Sequence, residues 1–430
     1  MRDNQIVVGV DIGSSKIATV IGQIQQDSVN ILGVTEIPSK GIKKGQIVDI
    51  VEAAGVINSS LDASERMAGY AVDHVFVSLS GVHIQSQNSK GIVAISNPEG
   101  EIFQPDVERV LEAAGAVSMP STTTVLHVLP KTFTVDGEPS IKDPIGMTGV
   151  RLEVDTHIIS ANSVSVKNVQ RVLEQEAGVG INALVFSGFA SSLAVLTETE
   201  KELGVVLVDI GAGITNICIF VEGALSYSGV IPIGARHITN DLAIGLRISL
   251  ESAEKIKLYL SKKYGRRQRA VRVEGDENAD ELDLGELHLI EDLKKVSQKT
   301  LVDGIIRPRL NELFTMIGIE LKKSGFATQT PAGVVITGGG ARTVGAEEAA
   351  KRMLSMPVRV GYPQNISGLI DDVENPSFAT AVGLLIFGRD FKSHESGAIF
   401  NNLFSSIKFK PLNNLVSRIK KIFKNFTPRF

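Results

Sequence analysis

A sixteen-residue segment near the N-terminus is written again 198 positions later. Val7-Val8-Gly9-Val10-Asp11-Ile12-Gly13-Ser14-Ser15-Lys16-Ile17-Ala18-Thr19-Val20-Ile21-Gly22 recurs as Val205-Val206-Leu207-Val208-Asp209-Ile210-Gly211-Ala212-Gly213-Ile214-Thr215-Asn216-Ile217-Cys218-Ile219-Phe220, with seven identities that include the Asp-Ile-Gly centre. Each copy reads as a β-branched strand, a small polar turn and a second strand, the pattern of a β-hairpin. This duplication constrains the fold more than any other feature. It predicts two related halves that face one shared ligand, each presenting a carboxylate at the start of its turn.

A triphosphate suits such a pair. Backbone N–H groups in a turn of small residues close on phosphate oxygens because no side chain intervenes. A divalent cation, here Mg²⁺, offsets the remaining charge and prefers carboxylate and water oxygens. Gly13, Ser14, Ser15 and Lys16 form the first turn, with Lys16 a point charge for a phosphate. Gly211, Ala212 and Gly213 form the second, and Thr215, Asn216 and Gly234 are counted with them. Asp11 and Asp209 are the metal-side carboxylates. The plain alternative is that each aspartate only caps its own turn.

A third glycine cluster lies in Gly333-Val334-Val335-Ile336-Thr337-Gly338-Gly339-Gly340-Ala341-Arg342, where an apolar strand runs into three glycines and then a helix from Gly345 to Met353. A nucleotide can approach such a backbone closely, so Gly338, Gly339, Gly340 and Arg342 join the candidate site. No segment has the P-loop spacing or the dinucleotide fingerprint.

These features together resemble the actin-like ATPase superfamily. The resemblance implies a duplicated α/β fold of the actin and chaperone-ATPase type, with two lobes around a nucleotide cleft and a subdomain inserted in each. It implies two small-residue helices crossing beneath the site, matched by Phe189-Ala190-Ser191-Ser192-Leu193-Ala194 and Phe378-Ala379-Thr380-Ala381-Val382-Gly383. It also assigns Glu254 and Lys257, on a helix from Leu250 to Lys263, to the adenosine, the plainer alternative being an ordinary exposed helix pair. Within the superfamily the chain is similar to the FtsA family of bacterial cell-division proteins. Three segments carry that likeness: Asp73 to Gly81, His127-Val128-Leu129-Pro130 and Gly146 to Leu152.

The expected division runs 5–82 with 163–197 for the first core and 83–162 for its insertion. The second core takes 198–242 with 327–388, and its insertion 243–326. A tether over 389–411 and a helix over 412–427 follow. In the first insertion, strands are expected at Gly91–Ile95, Thr124–Leu129 and Lys131–Val135, with a helix at Asp106–Val117. Val154 to Ser160 is expected to re-enter the core sheet. The second insertion carries six basic residues between Lys262 and Arg272, followed by six acidic ones between Glu274 and Asp283. Such blocks usually mean a solvated loop.

The formal net charge of −4 conceals an asymmetry. Lys408, Lys410, Arg418, Lys420, Lys421, Lys424 and Arg429 are the only charged residues after Phe404; without them 37 basic side chains face 48 acidic ones. The body is therefore a poor candidate for nucleic acid. In the tail, Leu415, Val416, Ile419, Ile422, Phe423 and Phe426 form one helical stripe, and Arg418, Lys420, Lys421 and Lys424 fill the other face. That is an interfacial helix for an anionic phospholipid membrane, against the alternative of a helix docked on the body. One copy binds lipid weakly and several on a polymer bind firmly. The single cysteine, Cys218, precludes an internal disulfide, the N-terminus shows no apolar leader, and no run reaches the roughly 18 apolar residues of a membrane span. A peripheral protein on the cytoplasmic face of the bacterial inner membrane is expected.

The family resemblance implies self-polymerisation, an FtsZ C-terminal tail against the second insertion, and later division proteins against the first. Little hydrolysis is expected, since Leu184 to Phe189 offers only Ser187 as a polar group near the phosphates. Asp209 remains as a base if the metal does not occupy it. The competing readings are a sugar or acetate kinase of the same fold and a pilus-assembly actin homologue; neither accounts for the cationic tail.

Overall fold

The computed structural model describes residues 5–25, 28–264, 280–291 and 293–393. The middle of the charge-segregated loop and all the membrane residues from Leu415 to Phe426 lie outside them. In chain order, the first half contains β1 (Ile6–Ile12), β2 (Lys16–Gln25), β3 (Ser28–Pro38), α1 (Ile50–Ala68) and β4 (His74–Leu79). The insertion follows as β5 (Gln85–Ala94), α2 (Gln104–Gly115), β6 (Thr123–Val135), β7 (Glu138–Ile141) and β8 (Arg151–Asn162). The half closes with β9 (Gly180–Phe186) and α3 (Ser187–Val195). The second half runs β10 (Val205–Ile210), β11 (Thr215–Val221), β12 (Ala224–Ile231), α4 (Ala235–Leu246) and α5 (Leu250–Tyr264). It continues through α6 (Arg307–Ser324), β13 (Val334–Thr337), α7 (Ala346–Leu354), β14 (Val358–Val360), β15 (Ile366–Gly368) and α8 (Ala379–Ser393).

Duplication is visible in the sheets. The first has the order β9-β4-β1-β2-β3-β15 and the second β14-β13-β10-β11-β12. Each is an antiparallel three-strand meander extended by two parallel strands beside its first strand. The hairpins agree in register as well. Ile12 pairs with Ile17 and Ile210 with Thr215, and the turns close with Gly13 N–H to Lys16 carbonyl at 3.0 Å and Gly211 N–H to Ile214 carbonyl at 2.9 Å. Every residue of β10 is buried, as expected of a central strand covered on both faces.

The two crossing helices exchange lobes. α3 follows the first sheet but packs on the second, where a Cβ on Gly188 would stand 3.0 Å from both the Asn216 Cβ and the Cys218 Sγ. α8 follows the second sheet but packs on the first, with Gly388 against Val7 and Phe76. They meet where a Cβ on Gly383 would fall 1.8 Å from the Ala190 carbonyl oxygen, so only glycine fits.

Three expectations are corrected here. Residues 366–388, assigned from sequence to the second core, belong to the first, because β15 pairs with β3 and α8 lies on that sheet. Nothing local announces this, since α8 is apolar over most of its circumference. Nor does Val154–Ser160 re-enter the core: β8 is a central strand of the insertion's own sheet, ordered β5-β8-β6-β7. It resembled a core strand because nearly all of it is buried, with α2 packed on it. The chain returns to the core sheet at β9. The strands expected on either side of Pro130 are one strand, β6, with a register shift beside the proline, which cannot donate to the ladder.

The insertion is also joined to the opposite lobe. Ser86 Oγ donates to the Ser228 carbonyl at 2.6 Å, Asn88 Nδ2 to the Ser226 carbonyl at 3.2 Å, and His157 links Asn88 Oδ1 at 2.7 Å to Ser228 Oγ at 2.9 Å. Among the described residues no helix is long and apolar enough to cross a membrane.

Glycine substitutions separate the crossing from ordinary helix propensity. Gly383→Val should destabilise the protein by about 3 kcal/mol or more in chemical denaturation, through forced separation of the helices. Gly55→Ala, on the exposed side of α1 with nothing within 4 Å of its would-be Cβ, should stabilise by about 0.5–1 kcal/mol.

Candidate functional site

The two turns meet across a cavity of about 800 Å³. A Cβ on Gly213 would lie 3.2 Å from Ser14 Oγ and 3.3 Å from Lys44 Cα, so the second turn rests directly on the first and on the loop after β3. Ser14 Oγ accepts the Gly45 N–H at 2.9 Å.

Neither aspartate caps its turn. Ser78 Oγ donates to Asp11 Oδ1 at 2.7 Å while accepting the Ile12 N–H at 2.9 Å. Asp209 Oδ2 accepts Ser191 Oγ at 2.9 Å, Asn216 Nδ2 at 3.2 Å and Thr380 Oγ1 at 3.5 Å. Ser191 belongs to α3 and Thr380 to α8, so both crossing helices hold one carboxylate. A hydroxyl-to-amide contact ties the lobes beside it, Ser80 Oγ donating to Asn216 Oδ1 at 2.5 Å.

The electrostatics follow from that geometry. Burial pushes the Asp11 carboxyl up to about 6; the Ser78 hydrogen bond opposes this, the Asp209 charge adds to it and Lys16 offsets part. Burial also raises Asp209, against its three donors. Two carboxylates raised in one cavity form a site that a cation would stabilise. Among the described residues no group of three or more His, Cys, Asp and Glu side chains forms a protein cage for a metal. The residues fit Mg²⁺ only in its usual manner, one or two carboxylates with the remaining positions left to water and phosphate oxygens.

Most of the predicted residues line this cavity: Asp11, Gly13, Ser14, Ser15, Lys16, Asp209, Gly211, Ala212, Gly213, Asn216, Glu254, Lys257, Gly338, Gly339, Gly340 and Arg342. Two do not. Thr215 is fully buried and donates to the Ile233 carbonyl at 2.7 Å. Gly234 sits behind the second turn, where a Cβ would be 2.5 Å from the Gly211 carbonyl oxygen. There the first N–H groups of α4, from Ala235 and Arg236, bond the Gly211 and Ala212 carbonyls at 2.9 and 2.8 Å, so the helix end supports the turn.

Glu254 and Lys257 close a triangle with Thr239. Lys257 Nζ donates to Glu254 Oε2 at 2.8 Å and Thr239 Oγ1 at 2.9 Å, and Thr239 donates to Glu254 at 2.5 Å. Residues not selected from sequence include Glu36, Ser80, Arg236, Thr239, Asn240 and Ser377, all on the cavity wall. Arg236, Thr239 and Asn240 carried a legible signal, since helical spacing puts them on one polar face of α4.

Comparison with known proteins places the chain. The family model for cell division protein FtsA matches residues 206–383, and that for the SHS2 domain inserted in FtsA matches residues 81–160. Cell division protein FtsA of Pseudomonas aeruginosa is 38% identical over 400 residues, covering 91% of each chain. This chain belongs to the FtsA family. FtsA of Bacillus subtilis is 38% identical over 388 residues (90% of this chain, 84% of the relative), and FtsA of Escherichia coli K12 is 36% identical over 403 residues, 92% of each. Among solved structures, the PilM–PilN type IV pilus biogenesis complex gives a TM-score of 0.62 at 17% identity, covering 89% of this chain and 98% of that one. Spiroplasma citri MreB5 bound to ADP gives 0.53 at 11% identity, covering 91% and 98%. The fold is therefore actin-like, as the resemblance implied, and it carries the SHS2 insertion of the FtsA family over residues 81–160.

The raised Asp11 carboxyl makes a signed prediction. Its folded-state pKa lies above its unfolded value, so its ionisation costs stability in full above about pH 6, and that cost disappears as pH falls toward 4. Asp11→Asn should raise the thermal stability of the ligand-free protein at pH 7.5, by about 1–2 kcal/mol after allowance for solvent in the cleft. The gap from wild type should close between pH 6 and pH 4. A gap that does not vary with pH would show that Asp11 carries no such cost.

Proposed function

We propose that this protein is an ATP-binding, actin-like cell-division protein that polymerises, ties FtsZ filaments to the inner face of the cytoplasmic membrane and recruits later division proteins. The observation that carries the nucleotide part is the convergence of Asp11 and Asp209, with two small-residue turns, on one cavity. MreB5 structures of the same fold hold ADP and AMPPNP, which supports a nucleotide in this cleft. Bound Mg²⁺ would supply charge neutralisation of the phosphates, and Asp11 and Asp209 would hold it. The chain's own groups do the rest. The turns present backbone to the phosphates, Lys16 adds a positive charge, and the Glu254–Lys257–Thr239 triangle with Gly338 to Gly340 and Arg342 forms the adenosine side.

Hydrolysis is slow on this reading. Ser187 is the polar side chain at the start of α3, and a serine is a weak base. Asp209 already accepts three hydrogen bonds on one oxygen. The nucleotide then acts as an assembly ligand, and phosphate release in a single turnover should lag far behind binding.

The membrane part rests on the basic amphipathic pattern of residues 415–426 and on family membership. Each lysine or arginine near an anionic leaflet contributes roughly 1 kcal/mol, so one tail binds reversibly and a polymer binds firmly. The second insertion is the surface for the FtsZ tail and the first for later division proteins. The pilus reading keeps the fold, but the full-length relatives named above are cell-division proteins.

Two measurements test the proposal. Mg-ATP affinity should fall as pH drops below about 6, where Asp11 takes up a proton, and should be lost in the Asp11→Asn, Asp209→Asn double variant. Deleting residues 412–430 should abolish co-sedimentation of FtsZ with anionic liposomes. If the truncated protein still carries FtsZ to lipid, the adaptor role is wrong.

A further inference from the structure

Lys16, the cation nearest the first turn, is already engaged. Its Nζ donates to Glu36 Oε2 at 2.7 Å and to Ser377 Oγ at 3.0 Å, and stands 3.7 Å from the centre of the Phe378 ring. Lys16 is largely buried while Glu36, on β3, is half exposed (side-chain exposures of 14% and 52%). Lys16, Glu36 and Ser377 all line the cavity. The chain of contacts continues, because the Pro376 carbonyl accepts the Gly338 N–H at 3.1 Å. One side chain thus connects the first turn, the outer strand of its meander, the segment leading into α8 and the glycine turn of the second lobe.

We infer that Glu36 is an internal counter-ion that competes with the phosphates of a nucleoside polyphosphate for Lys16, and so sets the affinity of the cleft. This rests on the nucleotide reading above. The physical argument is one of exchange. An ion pair with a half-exposed carboxylate is weak, because solvent screens it and both side chains lose freedom. A phosphate oxygen in the cleft carries more charge and makes a stronger charge-assisted hydrogen bond. Phosphate therefore takes Lys16, and Glu36 turns to solvent. The Lys16 contacts to Ser377 and Phe378 are given up in the same step, while the Pro376 carbonyl keeps the Gly338 N–H. Left ionised beside that tail, Glu36 also repels it. A neutral side chain at this position removes both the competition and the repulsion.

The full-length protein, its Glu36→Gln and Lys16→Gln variants and the double variant provide the test, with Mg-ATP titrated calorimetrically and ligand-free melting recorded for each. Glu36→Gln should tighten binding about two- to fivefold, the range of a partly exposed charge pair, while Lys16→Gln weakens it. In the Lys16→Gln background the Glu36→Gln gain should vanish, since there is no lysine left to contest. Unchanged or weaker binding by Glu36→Gln would overturn the inference, whatever its melting temperature. An equal gain in both backgrounds would also overturn it, by showing a general field effect in place of competition for Lys16. A wild-type protein that does not bind Mg-ATP would remove the nucleotide reading itself, a result distinct from either of these.

Discussion

The contact of α3 with α8 at Gly383 is the constraint on which the cleft depends. A helix backbone can approach another this closely only where one contributes no side chain. At that separation, hydroxyls from both helices, Ser191 and Thr380, reach the same carboxylate oxygen of Asp209. Each helix is also packed on the sheet of the other half, so movement of one sheet relative to the other bears on this crossing. The crossing helices hold Asp209 at the second turn, and that turn rests on the first at Gly213 and Ser14.

Around that crossing the cleft is electrostatically unfinished. Two carboxylates are held in a partly desolvated space where burial opposes their ionisation. The principal nearby cation is shared with Glu36. Such an arrangement costs stability in the free protein, and stability given up at a site is the common mark of groups arranged for a ligand. The turns and the N-terminus of α4 are, by contrast, firmly built. Their backbone groups satisfy one another, so the charged side chains are the adjustable part.

A second connection between the lobes lies away from the cleft, where the insertion meets β12. His157 bridges Asn88 and Ser228 from within the insertion's central strand, and burial drives its pKa down to about 3. The imidazole therefore stays neutral, with one nitrogen donating and the other accepting, as the two contacts require. These neutral hydrogen bonds, with the Lys142–Glu202 ion pair beside them, make the insertion part of the interlobe interface as well as an outward surface.

Local rules within the sequence determined the hairpins, their register, the pair of aspartates and the glycine turn, because strand periodicity and turn chemistry are written within about ten residues. The helices fit to cross came from the family resemblance, whose small-residue segments this sequence matches at 189–194 and 378–383. Tertiary structure alone decided which sheet each crossing helix joins, that β8 stays within the insertion, and that Thr215 and Gly234 support the site from behind. It alone paired Lys16 with Glu36 and Ser377, the latter 361 positions away. The physical reason is common to all of these. Burial and turn geometry are properties of a segment, whereas the partner of a buried face or a lone charge is settled only when distant segments compete for the same space.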